Sequence, residues 1–171
     1  IGRAAEKLEK NIQDMVLVAL DREYNRETIE EIRRVGARVQ LISDGDVAGA
    51  IATCLSDSGI DLLIQRGASA EAVLAAVAVK CLGGDFQGRL SPKNDEHLAR
   101  VKAMGIEDVN KKLLLEDLAA GEDLTFTATG VIDGPLLKGV RVGCNYTTTH
   151  STVMRVRTGT VRFIETMHRN E

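Results

Sequence analysis

Asp14-Met15-Val16-Leu17-Val18-Ala19-Leu20 decides the fold. A short apolar run bounded by polar residues suits a buried strand. Downstream of it, Asn25 is placed to cap a helix running to Val35, with Ile29, Ile32 and Val35 on one face. Gly36 stops that helix. Arg38 to Ile42 reads as a second strand, Ser43-Asp44-Gly45-Asp46 as a turn, and Val47 to Leu55 as a second helix. Ile60 to Ile64 is a third strand. Gln65 to Ser69 is a loop, with Ser69 able to cap a long apolar helix over Ala70 to Cys81. Upstream, Ala4 to Asn11 is polar and helical in pattern. Strand followed by helix, three times over with short connections and right-handed crossovers, gives a parallel sheet covered by helices.

The second half is less regular. Asp85 to Leu90 reads as a strand, and Asp95 to Met104 as a helix stopped at Gly105. Lys112 to Leu115 is a short strand, and Glu116 to Ala120 a helical turn before Gly121. Leu124 to Ala128 is a strand ending in a Thr129-Gly130 turn. Ser151 to Arg157 and Thr160 to Met167 alternate across a Thr158-Gly159 hairpin turn. The predicted class is α/β: a mixed, largely parallel sheet flanked by helices, with antiparallel edge strands. Its 171 residues fit a single domain over 1–171.

Composition narrows the function. With 44% hydrophobic and 27% charged residues, the chain can bury a core without disulfides or metals. A net charge of -3 argues against a chain-wide footprint for nucleic acid. With no Trp, two Tyr and three Phe, no base-stacking platform is expected. The longest apolar stretch, Val73 to Val79, is too short to span a bilayer, so no membrane partner is expected either. Cys54, Cys81 and Cys144 are scattered, without a C-x-x-C pair, and read as buried thiols in a reducing, cytoplasmic setting. His97, His150 and His168 lie far apart and read as surface or packing residues rather than metal ligands. The opening Ile1-Gly2-Arg3 has no initiator Met and no signal core. It suggests a processed chain, an excised domain or one half of something larger.

In an open parallel sheet, ligands bind beyond the carboxyl ends of the strands. Arg22 to Asn25, Asp44-Gly45-Asp46 and Gln65 to Glu71 therefore share one rim. Helix starts on that rim offer free N–H groups to a phosphate. The paired Asp residues can accept hydrogen bonds from sugar hydroxyls, and Glu71 can ligate a divalent metal. Each feature alone has a plainer reading, as a turn, a helix cap or a solvated charge; their convergence raises the interest.

Ala37-Arg38-Val39-Gln40-Leu41-Ile42-Ser43-Asp44-Gly45-Asp46-Val47-Ala48 resembles the second half of class II fructose-1,6-bisphosphatases, as does Lys80-Cys81-Leu82-Gly83-Gly84-Asp85-Phe86-Gln87-Gly88-Arg89-Leu90. Lys102 to Ile106 and Phe126 to Val131 agree and follow in the family's order. The resemblance implies the sugar-phosphatase fold and hydrolysis of the 1-phosphate of fructose 1,6-bisphosphate with magnesium or manganese; some cyanobacterial members also take sedoheptulose 1,7-bisphosphate. It implies substrate contacts at Arg22, Tyr24, Asp44, Gly45, Asp46 and Gly67, and a metal-site carboxylate at Glu71. No catalytic residue is assigned.

Three departures bear on activity. The family's amino half, with its acidic metal motifs, is not in this sequence. Arg22-Glu23-Tyr24-Asn25 stands where the family has Lys/Arg-Pro-Arg-His, so Tyr24 replaces a cation. Gln65 to Ala72 stands where the family has a glycine-rich loop, and each added Cβ restricts backbone approach to a phosphate. The expectation is a phosphosugar-binding half, inactive alone, that meets an amino-terminal half or a second copy. The alternatives are a non-catalytic phosphosugar-binding or assembly module, and a scaffold whose rim residues only cap helices.

Overall fold

The computed structural model describes residues 1–170. The first elements are α1 (Gly2–Lys7), β1 (Val16–Leu20), α2 (Arg26–Arg34), β2 (Arg38–Ile42), α3 (Asp46–Ala52), β3 (Leu62–Leu63) and α4 (Ser69–Cys81). β4 (Gln87–Gly88), α5 (Asp95–Ala103), β5 (Leu113–Leu114) and α6 (Leu115–Leu118) follow. The chain closes with β6 (Thr125–Thr129), β7 (Arg141–Val142), β8 (Tyr146–Arg155) and β9 (Thr160–Arg169).

β1 is central in a parallel sheet of order β2-β1-β3. Leu17, Val18 and Ala19 are fully buried, which explains the unbroken apolar run: side chains on both faces of this strand are covered. Leu17 and Met15 pack with Ile32 of α2 and Ala5 of α1. Val18 points the other way, toward α3. There Gly49 lets the helix approach so closely that a Cβ would sit 3.0 Å from Leu63 Cδ1 and 3.2 Å from Ile42 Cδ1. The chain thus steps from β1 to β2 with α2 on one face, then back past β1 to β3 with α3 on the other. The reversal leaves a crevice at the carboxyl ends of β1 and β3. Gly36, at φ +86, supplies the left-handed residue that ends α2.

α4 is apolar around most of its circumference because it is covered on several sides. Ala75 and Val79 pack with Ala50 of α3, while Ala78 and Cys81 join Ile51, Phe126 and Met154. Burial of each of the large side chains here is worth about 1.5–3 kcal/mol. Phe126 and Met154 belong to a four-stranded antiparallel sheet. In it β8 is flanked by β6 and β7 along one edge and by β9 along its whole length on the other. β4 and β5 make a separate antiparallel pair.

The α/β class holds, with a parallel sheet, flanking helices and antiparallel strands. The antiparallel strands, expected at the edge of the parallel sheet, instead form sheets of their own. α3 ends at Ala52 rather than Leu55, and a 3₁₀ turn at Ser56–Ser58 follows. β3 pairs only at Leu62 and Leu63, with flanking bonds from Asp61 N–H to Val16 O and Ile64 N–H to Val18 O. Neither expected cap acts as one. Ser69 is already the first residue of α4, behind Ala68, and the Asn25 side chain makes no cap to α2. β8 begins at Tyr146, and β7 was not foreseen. Cys81 is buried and Cys54 half-buried, but Cys144 is exposed. His150 packs as expected, stacked on Phe163 with ring centroids 5.9 Å apart.

Candidate functional site

The three loops that follow β1, β2 and β3 meet at one rim, as their topology requires. After β2, Gly45 at φ +93 turns the chain into α3 and places Asp46 in that helix's first turn. Asp44 is exposed and holds the turn by accepting the Gly45 N–H at 2.8 Å. After β3, Gly67 lies directly against Asp46: a Cβ on Gly67 would be 2.8 Å from Asp46 Oδ2. Glu71, in the first turn of α4, accepts the Ala68 N–H at 3.3 Å, closing the helix start from within.

The charges of these groups act on one another. Partial burial pushes the Asp46 carboxyl above the usual carboxylate range, and the neighbouring Glu71 and Asp44 push it further. A hydrogen bond from its own N–H and, more weakly, the Arg22 guanidinium oppose the shift without overcoming it. Asp46 is thus the point of the rim at which the charges of Glu71, Asp44 and, most weakly, Arg22 are felt together. Tyr24 stands in a 3₁₀ turn over Glu23–Asn25 and is 46% exposed.

Among the described residues, no three His, Cys, Asp or Glu side chains converge as a metal cage. At the rim Asp46 and Glu71 repel one another, and Glu71 raises the Asp46 carboxyl. A divalent ion takes six or more oxygen ligands, several of them usually carboxylate or water. These residues alone do not fit the metal centre that the family resemblance implies.

Asn25 and Gln65 escaped sequence reasoning. The Asn25 side chain is completely buried and bridges two loops, and Gln65 reaches back to the end of β1. A polar residue just before a helix looks alike in sequence whether it caps that helix or bonds elsewhere.

Gly67→Ala separates site geometry from stability. The atom it strikes ends a rotatable side chain, so folding free energy should change by no more than about 0.5 kcal/mol. Asp46 must swing away. Denaturant melts should overlay those of the parent while the Asp46 NMR signal and those of Arg66 and Ala68 beside the substitution move; unmoved Asp46 signals would contradict the contact.

Comparison with known proteins now gives a family. The family described as bacterial fructose-1,6-bisphosphatase, glpX-encoded, matches residues 1–168. A D-fructose 1,6-bisphosphatase class 2/sedoheptulose 1,7-bisphosphatase of Synechococcus sp. (strain JA-2-3B'a(2-13)) is 39% identical over 176 positions, covering 96% of this chain and 51% of the relative. The like-named enzyme of Synechococcus sp. (strain JA-3-3Ab) is 38% identical, with the same coverage. The second such enzyme of Acaryochloris marina (strain MBIC 11017) is 39% identical, again over 96% of this chain and 51% of its own. The chain spans about half the length of the curated relatives it matches.

Proposed function

The chain belongs to the bacterial, glpX-encoded fructose-1,6-bisphosphatase family, and we propose that it supplies the sugar-binding half of such a phosphosugar phosphatase. The observation that supports this reading is the meeting of Arg22, Asp44, Asp46 and Glu71 at one rim, with Gly67 packed on Asp46. Asp44 and Asp46 would accept hydrogen bonds from the hydroxyls of a fructose or sedoheptulose phosphate. The phosphate is drawn to Arg22 and to the free N–H groups at the start of α4. Tyr24 offers a neutral hydroxyl where a cation would bind the distal phosphate more tightly. Glu71 would contribute one carboxylate to the family's magnesium or manganese site, and further ligands would come from beyond residues 1–171.

A covering partner is part of the same reading. Phe163, Ile164 and Met167 of β9 are 52%, 41% and 65% exposed, and β9 pairs with β8 alone among the described residues. Exposed apolar groups beside an open strand edge suit contact with more protein, either the rest of the family's length or a second copy. No helix among the described residues is long and apolar enough to cross a membrane.

Asp46→Asn tests the rim. A carboxyl raised in the folded state contributes stability that is full below its unfolded value of 3.8 and lost as pH rises through the folded one. At neutral pH the ionised side chain is therefore a burden. Removing it should stabilise the chain slightly at neutral pH, with the gain fading toward pH 4. The same change removes a charged acceptor and should weaken fructose 6-phosphate binding about tenfold. Urea melts at two pH values and calorimetric titration check both. Unchanged affinity would count against Asp46 as a sugar contact.

A further inference from the structure

Leu20 closes β1 at the crevice, and side chains from two other segments hold both of its backbone polar groups. Its N–H donates to Gln65 Oε1 at 3.0 Å. Its carbonyl accepts from Asn25 Nδ2 at 3.2 Å and from the Arg22 N–H at 2.9 Å. The remaining polar atom of Asn25, Oδ1, accepts the Arg66 N–H at 2.8 Å. One buried amide thus ties the loop after β1 to the loop after β3, and a second amide ties the latter loop to the end of β1 itself. The next residue is Gly67. A Cβ there would meet Asp46 Oδ2 on one side and Gln65 Nε2, at 3.8 Å, on the other.

We propose that Asn25 and Gln65 are positioning residues that clamp the Gln65–Gly67 loop to the end of β1 and so fix Gly67 against the Asp46 carboxylate for phosphosugar binding. Neither needs to touch the ligand. Asn25 has no accessible surface, and its polar atoms are spent on backbone. The arrangement explains why Asn25 makes no cap to α2: a buried amide that satisfies a donor and an acceptor at once leaves no atom for the helix. The ligand-binding consequence rests on the reading of the rim as a sugar site; the clamp itself does not.

Amide hydrogen exchange on the full chain reads the clamp without a ligand. Gln65→Ala should speed exchange at Leu20 about tenfold or more while leaving Val18 unchanged, and should shift the Gly67 and Asp46 amide signals. Gln65→Glu keeps the acceptor and should restore Leu20 protection, which a mere loss of side-chain bulk does not explain. Asn25→Ala should deprotect Arg66 in the same way; if it fails to fold, the Gln65 pair decides. Fructose 6-phosphate affinity should fall about tenfold in Gln65→Ala. Unchanged Leu20 exchange and unchanged Gly67 signals in Gln65→Ala would overturn the clamp. Normal clamp behaviour in a parent chain that binds no fructose 6-phosphate would overturn the ligand role and the rim reading together, while leaving the structural tie established.

Discussion

The polypeptide of residues 1–171, purified alone, should release no more phosphate from fructose 1,6-bisphosphate than a mock preparation, with magnesium or with manganese. Phosphate monoesters are among the slowest of compounds to hydrolyse in water, and their enzymes lower the barrier by on the order of 20 kcal/mol or more. Nearly all of that comes from positioning and from positive charge placed on the transferring group. The rim provides two exposed arginines, Arg22 and Arg66, and a helix start, each worth on the order of 1 kcal/mol at such sites. It also presents Asp44, Asp46 and Glu71, which repel a phosphate unless metal ions lie between. No three potential ligands converge among the described residues. Joining the chain to the amino half of a class 2 relative should raise turnover by several orders of magnitude, and Glu71→Ala should abolish the gain. Robust turnover by residues 1–171 alone, lost in Glu71→Ala, would show that the rim carries the whole chemistry.

Gly130→Ala should be the most damaging alanine substitution among the glycines, costing about 3 kcal/mol or more in a urea melt. A Cβ there would sit 2.1 Å from the Lys138 carbonyl oxygen and 2.9 Å from its carbon. Unlike the carboxylate beside Gly67, these are backbone atoms and cannot rotate aside. The loop after β6 folds back on itself through bonds from Val140 N–H to Val131 O at 3.1 Å and from Gly139 N–H to Asp133 Oδ1 at 2.9 Å. It is tied to β8 where the Gly130 N–H meets the His150 carbonyl at 3.0 Å and the Lys138 N–H meets His150 Nδ1 at 3.1 Å. Alanine must drive the two arms apart and break several of these at once. A variant within about 0.5 kcal/mol of the parent would mean that the two arms separate freely. The contrast with Gly67 matters more than either value, since the same added methyl group strikes a movable side chain in one place and fixed backbone in the other.

Sequence reasoning succeeded where one physical constraint dominated. Val16 to Leu20 is apolar because β1 is covered on both faces, and Gly36 follows α2 because the chain needs a positive φ there. That the loops after β1, β2 and β3 share one sheet edge followed from topology, since consecutive parallel strand–helix units put their connections there, and the loops touch where Arg66 N–H meets Asn25 Oδ1 and Gly67 lies on Asp46. It failed where several structures share one pattern. Tyr146 to His150 is largely threonine, without apolar alternation, yet Thr147, Thr148 and Thr149 form the first half of β8 because β9 pairs with them throughout. The antiparallel strands read equally well as an edge of the parallel sheet, because nothing local says which sheet a strand joins. Asn25 and Gln65 were illegible for the same reason, since their partners lie 41 and 45 residues away in the chain.

The rim as a phosphosugar site can be tested in one titration. Fructose 6-phosphate is added to the isotopically labelled chain, and backbone amide signals are followed residue by residue. The first and largest shifts are expected at Arg22 to Asn25, Asp44 to Asp46 and Gln65 to Glu71, and saturation should be weaker in Asp46→Asn. Shifts confined to the strands beyond Gly143, with those three loops silent, would contradict it.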